Sequence, residues 1–207
     1  MKRKQRGPDG ARVEILAEEC AYQGFFRLEK YRLRHSLFAG GMSAPLQREL
    51  FERGHAAAVL LYDAVHDVVV ILEQFRIGAL QAPGGPWLLE IVAGMIEQGE
   101  DPQQVVRREA QEEAGAKIGE LVFICDYLVS PGGSSERISL YCGQVDSTGL
   151  GGLHGLAEEY EDIRVSTMSF AKAWEALMQG EINSASPIIA LQWLAMNRDR
   201  LRNRWQS

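Results

Sequence analysis

Glu109, Glu112 and Glu113 stand at positions i, i+3 and i+4 of one stretch. On a helix they fan over roughly 100° of arc and rise only about 6 Å. Ionised carboxylates this close repel one another. A strongly anionic, all-oxygen patch is what a hard divalent cation such as Mg²⁺ or Mn²⁺ accepts. A solvated acidic helix face would show the same residues, and the three carboxylates alone do not choose between the two.

The helix that must position them is well marked. Asp101 is a good N-cap, Pro102 suits the first helical position, and Gln104 completes a capping-box spacing. Val106 and Ala110 lie on a neighbouring stripe that can face a core. Gly115 stops the helix.

A wider pattern decides between the readings. Gly94, Glu100, Arg108, Glu109, Ala110, Glu112, Glu113, Gly115 and Ala116 match every defined position of the Nudix hydrolase box, so the chain resembles that family. The resemblance implies a loop–helix–loop that binds two or three Mg²⁺ (or Mn²⁺) ions and hydrolyses a diphosphate. It implies that Glu109, Glu112 and Glu113 are metal ligands, joined by the carbonyl of Ala93. By the same resemblance Glu112, Glu113 and Arg108 belong to the catalytic set, and Glu100 pairs with Arg108 to brace the turn.

Further stretches resemble the ADP-ribose pyrophosphatase branch of that family over nearly the full length. They are Tyr22–Phe26, Gln47–His55, Glu73–Arg76, Ser130–Glu136 and Leu156–Asp162, with Pro131 placed 16 residues after Gly115. This resemblance implies a small nucleotide substrate, ADP-ribose, cleaved to AMP and ribose 5-phosphate. It implies that Phe25 and Phe26 meet the adenosine end, that Arg48, Glu49, Arg53 and Arg76 hold the ligand, and that Met95 lines the pocket. Ser130, Pro131, Gly132 and Glu136 are implied at the terminal ribose or the phosphates. Glu159 is implied as general base and Glu161 as an accessory acidic residue among those that bind the substrate. Without the resemblance, Glu158, Glu159 and Glu161 are equal choices for the base. One of the adjacent Phe25 and Phe26 is expected to be core, and Arg48 and Arg53 could simply be solvated.

Two other functions compete with this one. The first is the same chemistry on another nucleotide-sugar diphosphate. The second is a non-catalytic ligand sensor, which the intact carboxylates and the lack of an appended basic DNA-binding helix argue against.

The whole chain fits an enzyme of this kind. Its 207 residues allow one large domain or a small and a medium one, and its 46% apolar and 24% charged composition is that of a globular protein. A net charge of −6 disfavours nonspecific nucleic-acid binding. No apolar run reaches 18 residues, so no membrane span is expected. The basic start lacks the apolar stretch of a secretory signal. Cys20, Cys125 and Cys142 lack metal spacing and read as buried thiols in a reducing, cytoplasmic setting.

Taken in order, residues 1–10 read as a frayed tail. Arg12–Phe38 reads as two strands, the second bending midway, and Pro45–Arg53 as a third. Ala57–Leu61, Val68–Leu72, Trp87–Ala93, Leu121–Leu128, Ile138–Val145 and Ile163–Met168 read as further strands. Gln81–Pro86 and the Gly-rich, acidic Ser147–Tyr160 read as loops. Ser169 caps a helix that Gly180 stops, and a last helix near Ser186–Trp205 shows a stripe of Ile189, Trp193 and Met196. The fold class is α+β, and the resemblance sharpens it to a Nudix-type α/β/α sandwich with a mixed sheet, preceded by a small antiparallel β segment. Residues 1–53 hold too little apolar surface for a core of their own, and 54–207 form the hydrolase domain. The resemblance implies a homodimer in which 1–53 is exchanged and completes the partner's site.

Overall fold

The computed structural model of the chain describes residues 10–156 and 160–206, and the backbone of 4–6. The chain divides into two compact units: Met1–His55 with Leu128–Arg137, and Ala56–Tyr127 with Ile138–Ser207.

In the first unit, Lys4–Arg6 (β1), Arg12–Gln23 (β2), Arg27–His35 (β3) and Leu46–Glu52 (β4) form an antiparallel sheet in sequence order. The expected frayed tail is corrected over Lys4–Arg6, which pairs with Arg12–Glu14, while residues 1–3 and 7–9 lie outside the described residues. The expected bend is corrected too. The register slips against β3 lie in β2, between Ile15 and Ala17 and between Cys20 and Tyr22, so the extra residues are Leu16 and Ala21. Leu128–Arg137 joins this unit along β4: Phe51 N–H donates to Gly133 O at 2.8 Å, and Ser135 Oγ bonds to Glu52. Among the described residues of this unit, the only buried side chains are those of Glu29 and Glu136.

The second unit has a real core. Its strands are Ala56–Asp63 (β5), Val68–Phe75 (β6), Trp87–Glu90 (β7), Val92–Met95 (β8), Leu121–Leu128 (β9), Arg137–Gln144 (β10), Gly152–His154 (β11) and Ile163–Ser169 (β12). Its helices are Pro102–Ala114 (α1), Phe170–Gln179 (α2) and Ala185–Trp205 (α3). The sheet runs β11-β12-β6-β5-β10-β9, with β7 on β6 and β8 on β5. It is mixed, because β10 pairs parallel to β5 while β12, β8 and β7 pair antiparallel.

Every residue of β5 is buried, which explains its unbroken apolar run. Alternate side chains go to opposite layers. Ala58, Leu60 and Tyr62 pack with residues of α2 and α3, whereas Ala57, Val59 and Leu61 pack with Val105, Val106, Ala110 and Ala114 of α1. Leu60, Leu61, Ile71 and Leu72 are each fully enclosed, worth about 2 kcal/mol apiece in transfer free energy.

Three expectations are corrected in this unit. Trp87–Ala93 is two strands broken at buried Ile91. Ser147–Tyr160 contains β11, which pairs with β12. The core stripe of α3 is Pro187, Ala190, Leu191, Leu194, Leu201 and Trp205; Ile189 and Trp193 flank it, and Met196 is 79% exposed. Of the cysteines only Cys142 is buried; Cys125 is intermediate and Cys20 exposed, all three with free thiols.

The geometry that matters most is a parting of strands. β5 and β6 pair with each other only at Tyr62–Val69 and Asp63–Val68, beside their turn. Farther along, β8 takes up the edge of β5 from Val59 to Ala56, and β7 takes up the edge of β6 from Leu72 to Phe75. The break at Ile91 lets one short stretch serve both. Asp63 secures the closed end: its carboxylate accepts from His66 Nδ1 at 2.8 Å and from Ser147 N and Oγ at 2.9 and 2.7 Å. Burial would raise the Asp63 carboxyl, but these bonds outweigh it and hold it well below the usual carboxylate range.

Candidate active site

α1 begins as its sequence requires. Asp101 accepts a bond from Gln103 N at 3.0 Å, Pro102 occupies the first turn, and Gly115 ends the helix at φ 62°. Val106 and Ala110 are buried as the stripe predicted, which turns Glu109 and Glu113 toward β8.

Glu113 is 3% exposed and accepts the backbone N–H of Ala93 at 3.1 Å. Glu109 lies over the next residue: a Cβ added at Gly94 would overlap its carboxyl group. This is the physical reason for a glycine there. Burial, with the charges of Glu109 and Glu161 adding to it, pushes the Glu113 carboxyl up to about 8, against the pull of the Ala93 bond. Burial raises Glu109 as well, opposed by Arg108 and reinforced by Glu112 and Glu161.

Arg108 corrects one expectation. Its guanidinium sits 2.8 Å from Glu109 and 2.9 Å from Glu112, while the Glu100 carboxylate accepts Glu97 N at 2.9 Å. Glu100 therefore braces the loop through the backbone, and Arg108 bridges two of the helix carboxylates. Among the described residues, no three His, Cys, Asp or Glu side chains converge into a ready metal cage. The donor set nevertheless suits a hard cation. It is all oxygen, and two carboxylates, Glu109 half-buried and Glu113 buried, are held against the uncharged strand β8.

Other expected residues of this unit surround the pair. Arg76, at the end of β6, binds Glu90 at 2.7 Å, and Gln74 reaches the same carboxylate at 3.3 Å. Arg76 is near enough to lower the Glu113 carboxyl slightly. Met95 is exposed at the end of β8. Glu161 follows Gly155, whose missing Cβ would lie 2.8 Å from Glu161 O, and Glu161 N–H donates to Leu156 O at 3.2 Å. Glu158 and Glu159 lie outside the described residues. Glu90 carries no signal in the sequence; Gln74 falls within the Glu73–Arg76 stretch but, as a buried amide, has no periodicity to mark a role of its own.

The first unit holds the rest. Phe26 packs edge-on against Phe51 at 5.2 Å, whereas Phe25 is 90% exposed. Arg53 lies 5.3 Å over the Phe26 ring and 3.4 Å from the buried Glu136. Arg48 and Glu49 are exposed neighbours on β4. Their side chains fall on opposite faces of the sheet, across from Tyr31 and Lys30 respectively. Ser130 O receives Gly133 N and Ser134 N, which makes an exposed turn of Ser130, Pro131 and Gly132.

Comparison with known proteins agrees with this geometry. The NUDIX domain model matches residues 52–190. The chain is 51% identical over 193 residues to the ADP-ribose pyrophosphatase of Escherichia coli (strain K12), covering 93% of this chain and 92% of that one. It is 45% identical over 197 residues to the ADP-ribose pyrophosphatase of Haemophilus influenzae, covering 94% and 91%. It is also 36% identical over 188 residues to the GDP-mannose pyrophosphatase of Cronobacter sakazakii, covering 89% and 95%. Among solved structures, an ADP compounds hydrolase superposes with a TM-score of 0.66 over the whole of both chains, at 20% identity, a likeness of fold. With its box folded as helix and strand, and the domain matched over two thirds of its length, the chain belongs to the NUDIX family.

Proposed function

We propose that the protein hydrolyses the diphosphate of ADP-ribose, giving AMP and ribose 5-phosphate, with two or three Mg²⁺ ions held by Glu109, Glu112, Glu113 and the carbonyl of Ala93. The observation that carries this reading is the seating of half-buried Glu109 and buried Glu113 against Ala93 and Gly94, carboxylates whose ionised form a cation would favour. What such cations supply is neutralisation of the diphosphate and a more acidic attacking water.

The chain's own residues do the remainder. Glu159 takes the proton of the water as it attacks the adenosyl phosphorus. The new P–O bond forms as the bond to the bridging oxygen breaks, and that oxygen leaves with ribose 5-phosphate. Arg76, held by Glu90, offers positive charge to the departing phosphate. Glu161 is an accessory acidic residue of the binding site, near enough to Glu109 and Glu113 to act on their charge. Phe25, exposed beside the packed Phe26, offers a stacking face for adenine. Arg48, Glu49, Arg53, Met95, Ser130, Pro131, Gly132 and Glu136 complete the binding residues.

A unit in which, among the described residues, only acidic side chains are buried needs another surface, and this supports a homodimer with exchanged 1–53 segments. Among the described residues no helix is long and apolar enough to cross a membrane. Together with three free thiols this supports a cytoplasmic location.

The GDP-mannose relatives give a second reading, the same hydrolysis on another nucleotide sugar. A panel of ADP-ribose, GDP-mannose and related diphosphates, run with Mg²⁺ and with chelator, separates them. We expect AMP from ADP-ribose at the highest kcat/KM, and none with chelator. Preferential release of GMP from GDP-mannose would move the assignment to the second reading. Absence of turnover on every member would remove the enzymatic one.

A further inference from the structure

The segment that delivers Glu161 is held at three points. Ser147 is bonded to the Asp63 carboxylate. β11 is paired to β12 at His154–Ile163, with Ile163 fully buried. The third point is His154 itself, whose ring lies against the end of α1. A Cβ added at Gly115 would sit 3.1 Å from His154 Cε1. Nε2 of the same half-buried ring donates to Gly151 O at 3.1 Å, which fixes the ring's orientation. The next residue, Gly155, has φ 103° and touches the backbone of Glu161, with Leu156 O accepting Glu161 N. From the end of the box helix to the Glu161 backbone there is thus an unbroken chain of contacts: Gly115, His154, Gly155, Glu161.

We infer that His154 is a positioning residue: seated on the Cβ-less face of Gly115, it fixes the Gly155–Glu161 neck to the end of α1 and so sets where Glu161 stands relative to Glu109 and Glu113. The inference rests on the proposed hydrolysis for its effect on rate, but the anchor itself does not. It gives Gly115 a second reason to be glycine. The left-handed turn needs it, and so does the ring that rests there.

The test uses the full-length protein and the variants His154→Ala, His154→Gln, Gly115→Ala and the Gly115→Ala/His154→Ala pair. Misplacing an acid by about 1 Å costs on the order of 10²-fold. His154→Ala should therefore lower kcat by roughly 10–100-fold and leave KM within about threefold. His154→Gln, whose amide can still donate to Gly151 O, should recover most of the loss. Gly115→Ala should lower kcat by a clearly larger factor when the ring is present than when His154 is already Ala, the remaining effect being the strain of the left-handed turn.

A second readout does not depend on turnover. Amide exchange in the peptide containing Glu161 should rise in His154→Ala and return in His154→Gln, while β5 stays protected. Unchanged exchange around Glu161 with unchanged kcat would overturn the inference. So would independent, multiplying effects of the two substitutions. If the Ala variant loosens β5 as well, the Gln variant decides. A folded Gln protein with a protected Glu161 peptide supports the anchor, and one with that peptide open at undiminished kcat refutes it. A wild-type protein inactive on the whole substrate panel would sink the proposed function, while the exchange result would still decide the anchor.

Discussion

At the scale of the residue, Glu113 carries a tension that can be measured. Its carboxyl is raised from the ordinary value of 4.5 to about 8 because it is buried. A raised carboxyl reverses the common case. The folded protein binds more protons than the unfolded one between those two values, so metal-free stability falls as pH rises from 4.5 to about 8. The slope is at most about 1.4 kcal/mol per pH unit. Glu113→Gln removes it. In chelator at pH 8 the variant should melt several degrees above the wild type, about 2–4 °C for each kcal/mol recovered. At pH 4.5 the two should melt together. Saturating Mg²⁺ should reverse the order at pH 8, because the variant has lost a ligand oxygen charge. Melting curves across that range check this, and parallel pH slopes for the two proteins would contradict the burial argument.

At the scale of the element, the box works because a helix and a strand approach closely. Gly94 on β8 is where Glu109 rests, and any side chain there would displace the carboxyl group. Gly94→Ala should leave α1 and the core intact and lower kcat by two orders of magnitude or so. Circular dichroism with steady-state kinetics would separate this from unfolding; a Gly94→Ala enzyme of normal kcat would show that Glu109 has no fixed seat. Much at this scale is legible in sequence. Capping residues and buried runs mark α1, α2, β5, β6 and β9 closely, because each signal is local. The split at Ile91 is not legible, since both halves are apolar and only pairing to different neighbours separates them. β11 is hidden for a similar reason: three residues among glycines form a strand only because β12 offers an edge. The Arg108 pairing differs from expectation because two carboxylates on its own helix lie nearer in space than one across the turn. Met196 falls outside the core stripe because apolar character on a long helix does not say which side is covered.

At the scale of the whole molecule, the proposed exchange of 1–53 makes a sharp prediction. Glu113→Ala and Arg48→Ala homodimers, each strongly impaired, are allowed to exchange subunits. If Arg48 serves the partner's box, one site of the heterodimer receives both lesions and the other receives neither, so activity should return. If each site belongs to one chain, every site keeps a lesion and nothing is recovered. Native mass spectrometry establishes that heterodimers have formed, and kinetics on the same mixture decides between the two arrangements.

The parting of β5 and β6 has a consequence for how such a protein can change over generations. The floor of the box, Ala93 and Gly94, is tied to the core through main-chain bonds from β8 to β5, and β7 is tied to β6 in the same way. Main-chain ties are indifferent to most side-chain identities. Outward positions such as Trp87 and Met95, both exposed, can therefore vary with little cost to the anchoring of the carboxylates. With Met95 lining the pocket as proposed, selectivity for the group attached to the diphosphate can drift at that position while the carboxylates stay in place. One scaffold can in this way give rise to lineages with different preferences, and a library confined to those outward positions is a sound starting point for redirecting this one.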